Sequence, residues 1–216
     1  MQQIILEDMK VIVNNIFCIG RNYAEHIREF GNITPDDMIV FMKPNNAILL
    51  ENNIIKLPQY SVNVHYECEV VIYINKDADN IDSKSAINYI GGIGIGLDLT
   101  ARDIQDKIKL NGYPWLKAKG FKHSACLSKF ISINNIDDIN NIDFTLEINN
   151  TQVQAGNTRN MLYPISKQIE ILSQIYGLKH GDIIYTGTPN GVGKLNHHDK
   201  IKAQLNNLIT ANWSVE

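Results

Sequence analysis

The sequence predicts a mixed α+β fold in which strands dominate, and three observations carry that expectation. Short runs rich in β-branched and aromatic residues lie near 16–20, 38–42, 68–74, 90–99, 143–149, 182–186 and 200–205, whereas helical periodicity is confined to stretches near 22–30, 83–89, 100–110 and 165–176. The two types do not alternate regularly, which disfavours a doubly wound parallel sheet. No repeat and no Pro/Gly/Ser linker interrupts the chain, so residues 1–216 read as a single unit.

Composition narrows the function before any motif is read. The chain is 44% hydrophobic and 20% charged, as ordinary globular proteins are, and a net charge of -3 gives no electrostatic reason to bind nucleic acid or anionic lipid. The expected partners are small molecules or a second copy of the chain. The start, Met1 to Asp8, lacks the basic and apolar parts of a secretory signal, and no stretch nears the roughly 18 apolar residues of a membrane span, so a cytoplasmic location is expected. Cys18, Cys68 and Cys126 are odd in number, far apart and set among apolar neighbours, as reduced core thiols are.

Ile16 to Gly20 is the first interior strand-like run. Asn22-Tyr23-Ala24-Glu25-His26-Ile27-Arg28-Glu29 then begins like a helix, with Asn22 as N-cap and Glu25 three residues on. His26 and Glu29 stand at i and i+3 on one face. A carboxylate that orients an imidazole is what a general base needs, although surface pairs of this kind are common.

In the run from Val64 to Ile74, period-two geometry puts His65, Glu67 and Glu69 on one face and Tyr66, Cys68, Val70 and Ile72 on the other. Two carboxylates about 7 Å apart along one strand repel unless solvated or neutralised. Two readings stay open here: a solvated acidic edge, or a shared cation that keeps both groups ionised in a partly buried place.

Next, Gly92, Gly94, Gly96 and Asp98 share one face of a strand, with Ile93, Ile95, Leu97 and Leu99 on the other. Something must approach that bare glycine face closely. Thr100-Ala101-Arg102-Asp103 resembles a capping box with Asp in place of the usual Glu or Gln, opening a helix that ends near Gly112 and leaving Asp98 at a strand-to-helix junction. Glu67, Glu69 and Asp98 together offer oxygen ligands without Cys or an evident His, a set that suits Mg²⁺, Mn²⁺ or Ca²⁺ better than Zn²⁺.

The later segments are quieter. In Lys117-Ala118-Lys119-Gly120-Phe121 nothing in the spacing separates a functional lysine from a solvated one. The Asn-rich stretch 133–142 keeps alternating with Ile and reads as a loop between strands. Gly181 to Gly193 reads as a strand entering a glycine-rich loop whose amides could hold an anion. It is not a Walker A loop, since Leu195 follows Gly193-Lys194, and Gly92-Ile93-Gly94-Ile95-Gly96 misses the dinucleotide fingerprint. His197-His198, among polar neighbours, reads as a solvated turn.

Taken in order, Ile19-Gly20-Arg21-Asn22-Tyr23-Ala24-Glu25-His26, Phe41-Met42-Lys43-Pro44, His65-Tyr66-Glu67-Cys68-Glu69, Leu97-Asp98-Leu99-Thr100-Ala101-Arg102-Asp103-Ile104-Gln105, Lys117-Ala118-Lys119-Gly120-Phe121 and Thr186-Gly187-Thr188-Pro189-Asn190-Gly191-Val192-Gly193 resemble the fumarylacetoacetate hydrolase family. The likeness is to its small members, those that hydrolyse acylpyruvates or decarboxylate oxaloacetate. The resemblance implies a mixed β-sandwich roll of the type of that family's C-terminal domain, forming a homodimer and lacking the N-terminal β-domain of larger members. It implies that Glu67, Glu69 and Asp98 bind Mg²⁺ or Mn²⁺, that Lys119 carries developing charge, and that His26 with Glu29 activates water. Arg21, Lys43, Arg102, Gln105 and Thr188 match pocket positions.

The implied chemistry is cleavage of the C3–C4 bond of a 2-oxo acid through a pyruvate enolate. Water attacks C4 when it is a ketone, and carbon dioxide leaves when C4 is a carboxylate. Two further enzymatic readings belong to the same resemblance: isomerisation or decarboxylation of carboxylated oxo-hexenedioates, and hydration of 2-oxo-pentenoates. A reading of another class is a non-catalytic protein that binds a metal or an oxo acid, against which Lys119 and the His–Glu pair argue.

Overall fold

The computed structural model describes residues 2–25 and 37–216. Five of the strands expected from the apolar runs enter the central mixed sheet, whose order is Ile39–Lys43, Ile16–Gly20, Ile183–Tyr185, Cys68–Ile74, Ile90–Asp98, Ala125–Leu127 and Ile48–Leu50, with Ile131–Ser132 also pairing with Ile90–Asp98. Ala125–Leu127 and Ile48–Leu50 lie outside those runs, and the runs near 143–149 and 200–205 fall in the second sheet. Ile183–Tyr185 runs parallel to Ile16–Gly20, and Ala125–Leu127 runs parallel to Ile48–Leu50; the other pairings are antiparallel. A second sheet orders Thr151–Asn157, Asp143–Ile148, Lys200–Leu205, Ile209–Val215 and Ile54–Ile55.

Both faces of the central sheet are covered, which explains why its strands read as continuous apolar runs rather than alternating ones. Val70, Ile72, Ile93 and Ile95 pack in one core with Phe144, Leu146, Ala203 and Trp213 of the second sheet. Val71, Tyr73, Leu127, Ile183 and Tyr185 turn the other way, into a second core with Ile4 and Phe130. The result is the strand-dominated mixed β-sandwich roll expected from the sequence. Among the described residues, no helix is long and apolar enough to cross a membrane.

The bare glycine face is filled as its lack of side chains demands. A Cβ on Gly92 would lie 2.6 Å from a Leu6 methyl, one on Gly94 3.3 Å from the Phe130 ring, and one on Gly96 2.9 Å from the Tyr185 ring. These apolar side chains press on the sheet from the second core, so this face serves packing.

Several local expectations are corrected. The run 64–74 is not one strand: it breaks at Glu67, where Val64–Tyr66 leaves to join a small sheet with Thr100–Ala101 and Gly193–Lys194. His65 therefore leaves the carboxylate face and faces Asn63, 3.0 Å away. No capping box forms either. Thr100 sits in a strand with its hydroxyl donating to the Asp98 carbonyl, while the Asp103 carboxylate accepts from the Ser61 hydroxyl and the Val62 amide. The expected helix at 83–89 shrinks to a 3₁₀ turn, Ala86–Tyr89, whereas Arg102–Leu110 and Ile165–Ile175 are helical as expected.

Candidate metal centre

The centre lies where the chain leaves the central sheet. Asp98 ends its strand, Glu69 is the second residue of the neighbouring one, and Glu67 occupies the break just before it. The break is pinned from the other strand, since the Asp98 amide donates to the Glu67 carbonyl at 2.8 Å. All three carboxylates are buried, and one ligand oxygen from each lies within 4.8 Å of the others.

Three cations surround them. Lys119 Nζ donates to Glu67 Oε2 at 2.7 Å and to Asp98 Oδ2 at 2.6 Å. Arg102 pairs with Glu67 Oε1 and donates to Gln105 Oε1 at 2.6 Å. Lys43 Nζ donates to the carbonyls of Leu99 and Lys119 and lies 2.7 Å from Asp98 Oδ1 outside hydrogen-bond geometry, so Asp98 Oδ1 is ion-paired yet accepts no hydrogen bond. Glu69 differs from the other two. Among the described residues it has no ion pair, and its Oε2 accepts the Gly187 amide at 2.7 Å.

Electrostatics follow from that arrangement. Burial, with Asp98 and Glu67 alongside, pushes the Glu69 carboxyl well above the usual carboxylate range. Burial alone would pull Lys119 down, but the Asp98 and Glu67 carboxylates outweigh it and hold its ammonium above the ordinary value. A divalent cation fits these residues. Ligands at about 2.0–2.6 Å from a common ion lie at most about 4.0–5.2 Å apart, the donors are hard oxygens, and Asp98 Oδ1 and the disfavoured Glu69 carboxylate both gain from positive charge.

Lys119 and Lys117 are separated by conformation. They lie on a helical turn, Leu116–Lys119, not on a strand, so residues two apart point to opposite sides. Lys117 is exposed over the Tyr60 ring, and Lys119 is buried beneath Phe41.

Around the carboxylates, Arg21, Phe41, Arg102, Gln105, Lys109, Trp115, Lys119 and Thr188 line a pocket with only about 40 Å³ free. Lys119 itself fills the space between Glu67 and Asp98. A much larger hollow of about 800 Å³, edged by Asn75, Asn88, Ser132 and Asp138, includes none of the expected site residues, so chemistry rather than size marks the site. Arg21 reaches the pocket edge through left-handed backbone, with φ of 57°. His26 and Glu29 lie outside the described residues. Of the proposed helix start, Asn22 is described, and its side chain does other work: it donates to the Tyr163 and Thr186 carbonyls and accepts the Tyr163 amide.

The glycine-rich loop is explained by the same centre. Its Gly187 amide holds the protein's own carboxyl group, Glu69, at a positive φ of 104° where a Cβ would meet Asn22. Thr188 donates to the Cys68 carbonyl at 2.9 Å and accepts from Gln154 Nε2 at 3.0 Å, and Gln154 Oε1 in turn accepts the Cys68 amide. Gln154 is a buried organiser with no signal in the sequence, because it stands in a polar strand of the second sheet. Lys109 did carry a signal: it follows Arg102 and Gln105 at helical spacing. The three cysteines are buried free thiols, as expected.

Comparison with known proteins places this geometry. The chain is 38% identical over 202 residues, 94% of its own length and 91% of the relative's, to the mitochondrial oxaloacetate tautomerase of Homo sapiens. It is 37% identical over 196 residues, 90% of each chain, to the mitochondrial oxaloacetate decarboxylase of Dictyostelium discoideum. Its fold matches fumarylpyruvate hydrolase from Pseudomonas aeruginosa, solved with Mn²⁺ and pyruvate, with a TM-score of 0.95, 26% identity and coverage of 99% and 94% of the two chains. The family model described as fumarylacetoacetate (FAA) hydrolase C-terminal matches residues 15–216, and the chain belongs to the fumarylacetoacetate hydrolase family.

Proposed function

We propose that this protein is an enzyme that holds Mg²⁺ or Mn²⁺ on Glu67, Glu69 and Asp98 and cleaves the C3–C4 bond of 2-oxo acids through a pyruvate enolate. The observation that carries the reading is the convergence of three buried carboxylates with Lys119 bridging two of them, inside a pocket edged by Arg21 and Arg102. A divalent cation there supplies Lewis acidity toward the ketone of a 2-oxo acid.

The chain's own residues do the rest. Arg21, Lys43, Arg102, Gln105 and Thr188 bind and orient the substrate, directly or by fixing the carboxylates beside it. Lys119, raised in pKa and so charged at neutral pH, would stabilise the oxygen on which enolate charge develops. For an acylpyruvate, His26 oriented by Glu29 takes a proton from water as the water attacks C4. The C3–C4 electron pair moves onto the pyruvyl fragment as its enolate, and the proton held by His26 returns to C3, giving pyruvate and a carboxylic acid. For oxaloacetate, carbon dioxide leaves from C4 and the enolate is protonated at C3.

A second reading is favoured by the name of the human relative. Proton exchange at C3 of oxaloacetate without C–C cleavage interconverts enol and keto forms through the oxaloacetate enolate, whose charge the same residues would stabilise. The purified protein with Mg²⁺ or Mn²⁺, given acetylpyruvate and oxaloacetate, separates the readings. Pyruvate release supports cleavage, decay of enol absorbance without pyruvate supports tautomerisation, and neither leaves a binding protein. His26→Ala or Glu29→Ala is expected to cost acetylpyruvate hydrolysis about 10²–10⁴-fold and oxaloacetate decarboxylation clearly less. Equal losses would remove the water-activating role.

The reading extends to residues 1–216 acting as one catalytic unit in a homodimer, which light scattering tests. It also places the protein in the cytoplasm, unlike relatives named as mitochondrial, and cell fractionation tests that.

A further inference from the structure

We infer that Lys43 is a positioning residue of the metal centre and touches no substrate: from an edge strand it fixes Asp98 as a ligand and Lys119 as the donor to developing charge. This deepens the proposed function and rests on its metal-holding reading.

The placement begins with the edge strand Ile39–Lys43. Phe41 and Lys43 stand two residues apart and so share one face of it. Between them they hold Lys119 from both ends. The Phe41 ring centre lies 4.9 Å from Lys119 Nζ, and Lys43 Nζ donates to the Lys119 carbonyl. The two segments approach closely, since a Cβ on Gly120 would come within 2.9 Å of Pro44 Cδ; the glycine after Lys119 makes room for the proline after Lys43.

An ammonium has three donors, and the surroundings of Lys43 leave none for a ligand. It donates to the Leu99 and Lys119 carbonyls, and it lies 2.7 Å from Asp98 Oδ1. Its side chain is 0% exposed, and it is absent from the walls of the pocket that Arg21, Arg102, Gln105, Lys119 and Thr188 line. Lys43 can therefore act only through its neighbours. Without it, Lys119 at Oδ2 is the one cation left on Asp98 among the described residues, and the Leu99 and Lys119 carbonyls each lose a donor. Losing a group that orients a metal ligand typically costs about 10–100-fold in metal affinity.

Two affinities separate positioning from contact. Isothermal titration with Mn²⁺ should show Lys43→Met binding the ion about 10–100-fold more weakly than the parent, while pyruvate, titrated at saturating Mn²⁺, binds both proteins within about twofold. Lys43→Gln keeps donors for the two carbonyls and loses only the charge, so it should show the same split in a variant that disturbs packing less. Mn²⁺ affinity unchanged in both variants, or a loss carried by pyruvate instead, overturns the assignment. The wild type offers a test that needs no substitution. Reductive methylation followed by peptide mass spectrometry should leave Lys43 unmodified with or without Mn²⁺ and pyruvate; a Lys43 methylated in the free protein and protected by pyruvate touches the ligand, and the assignment falls. The cleavage reading fails separately: a protein that shows the split yet releases no pyruvate from acetylpyruvate or oxaloacetate keeps its positioning residue and loses the activity. A parent that binds no Mn²⁺ removes the metal reading and the positioning role with it.

Discussion

Lys117 and Lys119 stand two residues apart and meet opposite surroundings, one over an exposed tyrosine ring, the other buried between two carboxylates. Lys119→Met should therefore lower kcat by about 10²–10³-fold, the scale for losing a preorganised donor to a developing oxyanion, while Lys117→Met stays within about twofold. Steady-state pyruvate release from both variants checks this, and comparable losses would reassign the charge-stabilising lysine. At this scale the sequence was partly legible. The carboxylates were visible because Glu67 and Glu69 bracket one residue and Asp98 closes a strand, but spacing alone did not separate the lysines. Only the family resemblance singled out Lys119, since the short helical turn that turns Lys117 away has too few residues to show a period.

At the scale of elements, the second sheet supports the first through one side chain. Gln154 reaches from Thr151–Asn157 to the Cys68 amide, the Thr188 hydroxyl and the Pro189 carbonyl, tying the residue between Glu67 and Glu69 to the loop that caps Glu69. Gln154→Leu leaves the buried Cys68 amide without its side-chain partner and is expected to cost about 1–3 kcal/mol of stability. It should also lower kcat with little change in folding cooperativity, because Thr188 loses its anchor; urea titration and kinetics on one preparation test both. Such an element is hard to read ahead of time. The strand's sequence, TQVQAGN, is polar and carries an internal glycine, so neither alternation nor an apolar run announces it. The missed strand Ile209–Val215 is a different case, since its inward positions alternate cleanly and the period-two signal was present. The break at Glu67 could not be seen, because it depends on pairing with a strand contributed by residues 100–101.

Across the whole molecule, the centre sets stability against function. Glu67 and Asp98 each face cations, but Glu69 lies buried with one backbone amide and no ion pair among the described residues, so ionising it works against the fold. Glu69→Gln keeps an oxygen for the Gly187 amide and removes the charge. In the presence of a chelator, that variant should be more stable than the parent by about 1–2 kcal/mol, or roughly 2–8 °C in Tm for a chain of this size. Adding Mn²⁺ reverses the order. An ion bound at 100 times its Kd stabilises the parent by about 2.7 kcal/mol, roughly 5–11 °C, while a variant lacking one of three ligands gains little. Glu69→Ala should in turn be inactive even at high metal concentration. Thermal melts of parent and Glu69→Gln in EDTA and in Mn²⁺ give four values whose pattern decides the matter. If Glu69→Gln is less stable than the parent in EDTA, Glu69 is structural rather than strained. If it keeps the full Mn²⁺ shift, the ion binds elsewhere.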